Sequence, residues 1–187
     1  IGLWQTHVEA VDMHTGGIGG DSHVHVGERG EVSIGPARVT PLAMAGDSSP
    51  AGWLGTDTRS RLIVLRPEAR HLLVPDGEVT ALLSQTNRLT PAAIRQHTGL
   101  GGIPLDVQLE HLTRRQLIYE CGFTPTDALH VLGKVDLGNR AAAMEGATIL
   151  GRALGMGPTD FAEMVLQRTE ELIENMILDY VIKRSWQ

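Results

Sequence analysis

The sequence predicts an α/β fold, and three observations predict it. Residues 1–46 read as short strands separated by glycine turns. From Asn139 onward the chain reads as amphipathic helices. Between them lie short helices closed by a strand. With 187 residues, the chain has the length of about one domain or one domain with a small insert, on a prior of roughly 150 residues per domain.

In chain order, Gln5 to Met13 alternates apolar and polar residues and reads as a strand. The run HTGGIGGDS is a glycine loop, and HVHVGERGEVSIGP after it reads as a hairpin. Val24 and Val26 share one strand face, GERG turns the chain, and Val32 and Ile34 meet the same core from the returning strand. Ser, Pro, Gly and Asp cluster over residues 47–58, which marks a loop. Arg61 to Arg66 is a short buried strand. EVTALLSQTN is a helix ended by Asn87. Thr90 caps a second helix, with Pro91 at its first position and Gly99 as its stop. A third helix runs through LDVQLEHLTRRQ, with Leu105, Leu109 and Leu112 on one face, and LIYECGFTPT reads as a strand. Three short helices and a strand resemble a winged-helix unit. Residues 139–155 form a helix whose small-residue stripe (Ala143, Ala147, Gly151) admits close approach of another backbone. Pro158 starts the last helix, on which Phe161, Met164, Val165, Leu172, Ile173, Met176, Ile177, Tyr180 and Val181 recur at helical spacing.

Composition narrows the function classes. Hydrophobic residues make up 42% and charged residues 20%, which excludes wholesale disorder. The net charge of −6 has the wrong sign for a dedicated nucleic-acid binder. Between Glu78 and Glu120 four arginines (Arg88, Arg95, Arg114, Arg115) balance four acids, so the helical insert lacks the basic excess that phosphate contacts need, and a structural or partner-docking role fits it better than DNA. Cys121 is the sole cysteine, so no intrachain disulfide forms and a reducing, cytoplasmic setting is expected. No apolar run approaches the ~18 residues of a membrane span, and no signal peptide is recognisable. The start at Ile1 reads as a fragment of a longer protein.

The glycine loop is the sharpest chemical signal. In Gly16-Gly17-Ile18-Gly19-Gly20-Asp21-Ser22 successive glycines let backbone N–H groups face one concavity, which suits an anion, and Ser22 adds a hydroxyl. Asp21 opposes a phosphate unless Mg²⁺ lies between them. The competing reading is a tight strand-to-strand turn. His23 and His25 have the HxH spacing that chelates a transition metal, with Asp12, His14 and Asp21 near in sequence; the competing reading is two solvated histidines opposite a core face of Val24 and Val26. Cys121 reads as a core residue. Glu163, Glu170, Glu171 and Glu174 read as the solvated face of the last helix.

Three separated segments carry a family resemblance. VDMHTGGIGGDSHVHVGERGEVSIGPARV resembles the hydantoinase A/5-oxoprolinase family, in which a GAGGGS-like loop precedes a hairpin and a V-G-P turn; Ile34-Gly35-Pro36 stands at that turn. FTPTDALHVLGKVD resembles the family's TVTDANLVLGRLD stretch, with Thr126, Asp127, Ala128, Leu132 and Gly133 matching. The closing helices resemble the family segment that pairs two helices before a GGAGP loop.

The resemblance implies an actin-like, ribonuclease H-like ATPase lobe: residues 1–46 its glycine loop and hairpin, 47–122 an inserted winged-helix-like subdomain, and 123–187 its returning helices. It implies an ATP- and Mg²⁺-dependent hydrolase that acts on C–N bonds of a cyclic amide or a related carbonyl by phosphoryl activation. Asp21 would be the catalytic group, and Gly16, Gly17, Gly19, Gly20, Ser22, Thr126 and Asp127 the nucleotide or substrate contacts, although Asp127 equally reads as a helix cap. The partners implied are the rest of the parent chain, a hydantoinase B-like subunit and a second copy. The chain departs from the family pattern in several places. Acidic-Gly-Gly-Thr phosphate loops and the GGAGP loop are absent, ARVTPLAMAGDSSPA replaces the family's S-A-G-x-x-P-G-P-A stretch, Asp21 replaces a glycine, and the 47–120 insert is extra. Two alternatives remain open at this level: a non-catalytic winged-helix-like module for a partner or DNA, and a metal-dependent hydrolase built on His23 and His25.

Overall fold

A computed structural model describes residues 17–46, 49–55 and 60–185. The predicted strand over Gln5 to Met13, along with Asp12, His14 and Gly16, lies outside them. The described chain is a mixed α/β structure with two sheets.

The predicted hairpin forms as β1 (Ser22–Val26) and β2 (Val32–Arg38), antiparallel, with Val24 opposite Ile34 and Val26 opposite Val32. The second sheet is mixed. Its order is β3 (Thr40–Pro41), β6 (Ile118–Gly122), β4 (Leu62–Leu65) and β5 (Arg88–Leu89), with β3 parallel to β6 and the other pairs antiparallel. The Val24 N–H donates to the Phe123 carbonyl at 2.8 Å, which fastens the hairpin to the end of β6.

Strand alternation makes this second sheet a wall between two cores. Leu62 and Val64 of β4 and Cys121 of β6 face one core, which holds the hairpin and the C-terminal helices. Ile63, Leu65 and Ile118 face the other. That second core is filled by α1 (Glu78–Thr86), α2 (Pro91–Thr98) and α3 (Gly102–Arg114) through Leu83, Ile94, Leu105, Leu109 and Leu112. Asn87, at φ +63, ends α1. The Thr90 hydroxyl caps α2 by accepting from Ala93 N–H. α3 starts three residues before the predicted Leu105, because Pro104 is compatible with a first helical turn.

The predicted strand through Thr126 ends earlier. β6 stops at Gly122 and α4 (Pro125–Val131) begins, with Thr124 as its cap and Pro125 at its first position. α5 (Arg140–Ala153) and α6 (Pro158–Ser185) pack on α4. The small-residue stripe does what its composition predicts: Ala143 and Ala147 are fully buried, and a Cβ on Gly151 would stand 2.9 Å from the Met156 carbonyl oxygen at the turn into α6. Among the described residues, the fully buried part of α6 lies in its first half. Phe161, Ala162 and Val165 are buried, whereas Ile177, Leu178, Val181 and Ile182 are each more than half exposed.

Candidate functional site

The glycine loop is held closed from within and from across the molecule. Inside it, Gly19 N–H donates to Ser22 Oγ at 2.9 Å and Ser22 N–H donates to the Gly19 carbonyl at 3.0 Å. Ser22 is fully buried, so its hydroxyl oxygen serves the turn itself. From the far side, the Gly20 carbonyl accepts both the Thr126 N–H (3.0 Å) and the Thr126 hydroxyl (2.7 Å). A Cβ on Gly20 would lie 2.7 Å from Thr126 Oγ1, so this approach requires glycine. Gly17 has open space beside it.

Asp127, next to Thr126, is fully buried and accepts four hydrogen bonds. Its Oδ1 takes the Ala43 N–H at 2.8 Å, and its Oδ2 takes the N–H groups of Leu42 (3.0 Å) and Thr124 (2.9 Å) and the Thr124 hydroxyl (3.0 Å). It thus closes a capping box on α4 while holding the 3₁₀ turn at Leu42–Met44 from 84 residues away. Burial pushes its carboxyl up to about 6, against the downward pull of these donors. It is mostly ionised at neutral pH and, being fully buried, has no free face for substrate. The cap reading is the one the geometry realises.

Asp21 points the other way. Its side chain is 43% exposed and pairs with Arg38 at 3.3 Å, while its carbonyl accepts Val39 N–H at 2.9 Å. It stands at the mouth of a cleft of about 430 Å³ that also takes in Arg38, Arg61, Arg66, Tyr119 and Glu120. Arg61 and Glu120 form a largely buried ion pair across β4 and β6. Sequence reading missed this cleft. Arg61 and Arg66 bracket a buried strand in the sequence, and nothing local shows that both line one cleft with Asp21.

His23 and His25 are not two solvated histidines opposite a core face: His23 is buried and His25 is half-buried. His23 is buried, and its Nε2–H donates to the Ser60 carbonyl at 3.2 Å. Gly122 makes room for the ring, since a Cβ there would lie 2.8 Å from His23 Cδ2. Desolvation lowers the His23 pKa to about 4, so the ring is neutral at pH 7. The two imidazoles stack with centroids 6.3 Å apart. Among the described residues no group of three or more His, Cys, Asp or Glu side chains stands together in a form that would hold a metal ion. Cys121 is fully buried, with its thiol pushed up to about 12 by burial, which removes thiolate chemistry at neutral pH.

Gly17, Gly19, Gly20, Asp21, Ser22, Thr126 and Asp127 therefore stand together, with Asp21 the half-exposed carboxylate of the group, beside the charged cleft. Among the described residues no helix is long and apolar enough to cross a membrane. Comparison with family models, with curated proteins and with solved structures finds no match to this chain.

Proposed function

We propose that this chain is part of an ATP-dependent hydrolase of the hydantoinase/oxoprolinase type, acting on a cyclic amide or related carbonyl substrate. The observation that carries the reading is the junction between Gly20 and Thr126. The two sequence stretches that resemble the family, 106 residues apart, meet there through two hydrogen bonds to one carbonyl. Contact between them is what a shared nucleotide or substrate edge requires.

The residues fit Mg-ATP in one specific respect. Asp21 offers a half-exposed carboxylate, a hard oxygen donor suited to Mg²⁺, at the end of a glycine turn. When bound, the nucleotide would supply a phosphoryl group that makes a carbonyl or amide oxygen a good leaving group. The chain's own contribution is positional. Ser22 and Thr126 fix the turn, Asp127 anchors α4 beneath it, and Asp21 holds negative charge where a cation is needed. Arg38 keeps that carboxylate oriented in the absence of the cation.

The exposed apolar half of α6 fits the same reading, as a face that the remainder of an actin-like lobe covers. The second core supports a winged-helix-like insert: three helices packed on the antiparallel strands β4, β5 and β6. Its balanced charge favours docking of a protein partner such as a second subunit. Turnover tests the assignment. In the protein as the cell makes it, Asp21→Asn is expected to lower Mg-ATP-dependent hydrolysis of a cyclic amide at least about ten-fold with the melting temperature unchanged. Unchanged turnover removes Asp21 from the chemistry.

A further inference from the structure

Among the described residues, the cleft beside Asp21 holds more positive charge than its internal pairs consume. Three guanidinium groups border it, from the end of β2 (Arg38) and from the two flanks of β4 (Arg61 and Arg66), against the carboxylates of Asp21 and Glu120. Arg61 and Glu120 neutralise each other where both are only 18% exposed, so that pair forms a fixed floor. Arg38 has one ion-pair contact, to Asp21 at 3.3 Å, with both side chains about half exposed, and such pairs open easily.

Arg66 makes no short ion pair among the described residues. Its guanidinium lies 5.4 Å over the Tyr119 ring, its ion-pair contact is a long one to exposed Glu68 (3.7 Å), and its Nε is buried with no hydrogen-bond partner among the described residues. A guanidinium held over an aromatic face has its planar fork restrained in place, which is the preorganisation that bidentate oxyanion recognition exploits.

We propose that this cleft is an oxyanion site: Arg66 and Arg38 bind a phosphate or carboxylate group of a small-molecule ligand, and the Arg61–Glu120 pair fixes the floor beneath it. An arriving oxyanion competes with Asp21 for Arg38 and so releases the Asp21 carboxylate from that ion pair. That coupling to Asp21 rests on the proposed phosphoryl-transfer reading. The oxyanion site itself does not.

The test is an NMR titration of the whole chain that follows the arginine Nε–Hε signals. Sodium phosphate and sodium succinate are added separately, against sodium chloride at matched ionic strength. The expected result is a saturable shift of the Arg66 and Arg38 signals with phosphate, succinate or both, and none with chloride. Saturation by phosphate alone assigns a phosphoryl-bearing ligand, and saturation by succinate alone a carboxylate. Arg66→Gln is expected to weaken binding about ten-fold or more. Arg66→Lys, which keeps the charge and loses the fork, is expected to fall between wild type and Arg66→Gln. Shifts that never saturate, that chloride reproduces, or that persist undiminished in Arg66→Gln overturn the proposal. If the arginine signals saturate while Mg-ATP leaves the Gly17–Ser22 amides unmoved, the oxyanion site stands and the nucleotide reading falls.

Discussion

The carbonyl oxygen of Gly20 is held by both donors of Thr126, its N–H at 3.0 Å and its hydroxyl at 2.7 Å. That single acceptor fixes the glycine loop on the first turn of α4. The contact leaves no room for a side chain at position 20. Gly20→Ala is therefore expected to cost about 1–3 kcal/mol by overpacking. In a Thr126→Ala background, where the obstructing hydroxyl is gone, the same change is expected to cost clearly less. Urea unfolding of the four proteins of this double-mutant cycle measures the coupling. Strict additivity would show that the two residues do not meet.

Asp127 has the greater structural weight, because it is the common acceptor for α4 and for the turn at Leu42–Met44. Asp127→Ala strands three buried backbone N–H groups. A loss of about 3–5 kcal/mol is expected, at the upper end for a point change. Chemical denaturation checks it, and a loss below 1 kcal/mol would contradict the buried network.

His23 makes stability depend on pH in a definite direction. The ring is held neutral in the fold, with a pKa of about 4 against 6.5 when unfolded. Above pH 6.5 neither state is protonated and stability is full. As pH falls from 6.5 toward 4 only the unfolded state takes up the proton, so stability declines by roughly 3 kcal/mol in total. Asp127 acts with the opposite sign, since its raised folded pKa of about 6 favours the fold below that pH. Comparing wild type with His23→Gln cancels the Asp127 contribution. The wild type is expected to lose roughly 3 kcal/mol relative to that variant across this interval, as read from denaturation midpoints.

The two halves of α6 should respond differently to truncation. Phe161 is fully buried and its ring packs 5.4 Å from that of Phe123, so Phe161→Ala is expected to cost about 3–5 kcal/mol. Ile177 is 56% exposed, and Ile177→Ala is expected to cost under about 0.5 kcal/mol in the isolated chain. Thermal melts of the two variants decide. A large Ile177 effect would contradict the exposed placement of that face.

Much of this architecture is legible in the sequence where the signal is local. The hairpin pairing of Val24 with Ile34, the Thr90–Pro91 start of α2 and the Asn87 stop of α1 all follow from residue type and spacing. The same Thr-Pro signal recurs at Thr124–Pro125, yet there the apolar run before it favours extending the strand through it; only the capping box with Asp127 fixes the boundary. Periodicity marks the apolar face of α6 but does not say where packing stops, because burial depends on what lies opposite. The covering of His23 by Gly122 and Ser60, and the meeting of Arg38 with Arg61 and Arg66, bring together residues far apart in the chain. No spacing rule reaches across such distances.

In the proposed reading, the loop from Gly17 to Ser22, tied to Thr126, forms a nucleotide edge. Amide NMR of the whole chain during titration with Mg-ATP tests it most directly. Weak but saturable shifts are expected, confined to residues 17–22 and 124–127. Shifts absent at saturating millimolar nucleotide, or appearing only elsewhere, would contradict it.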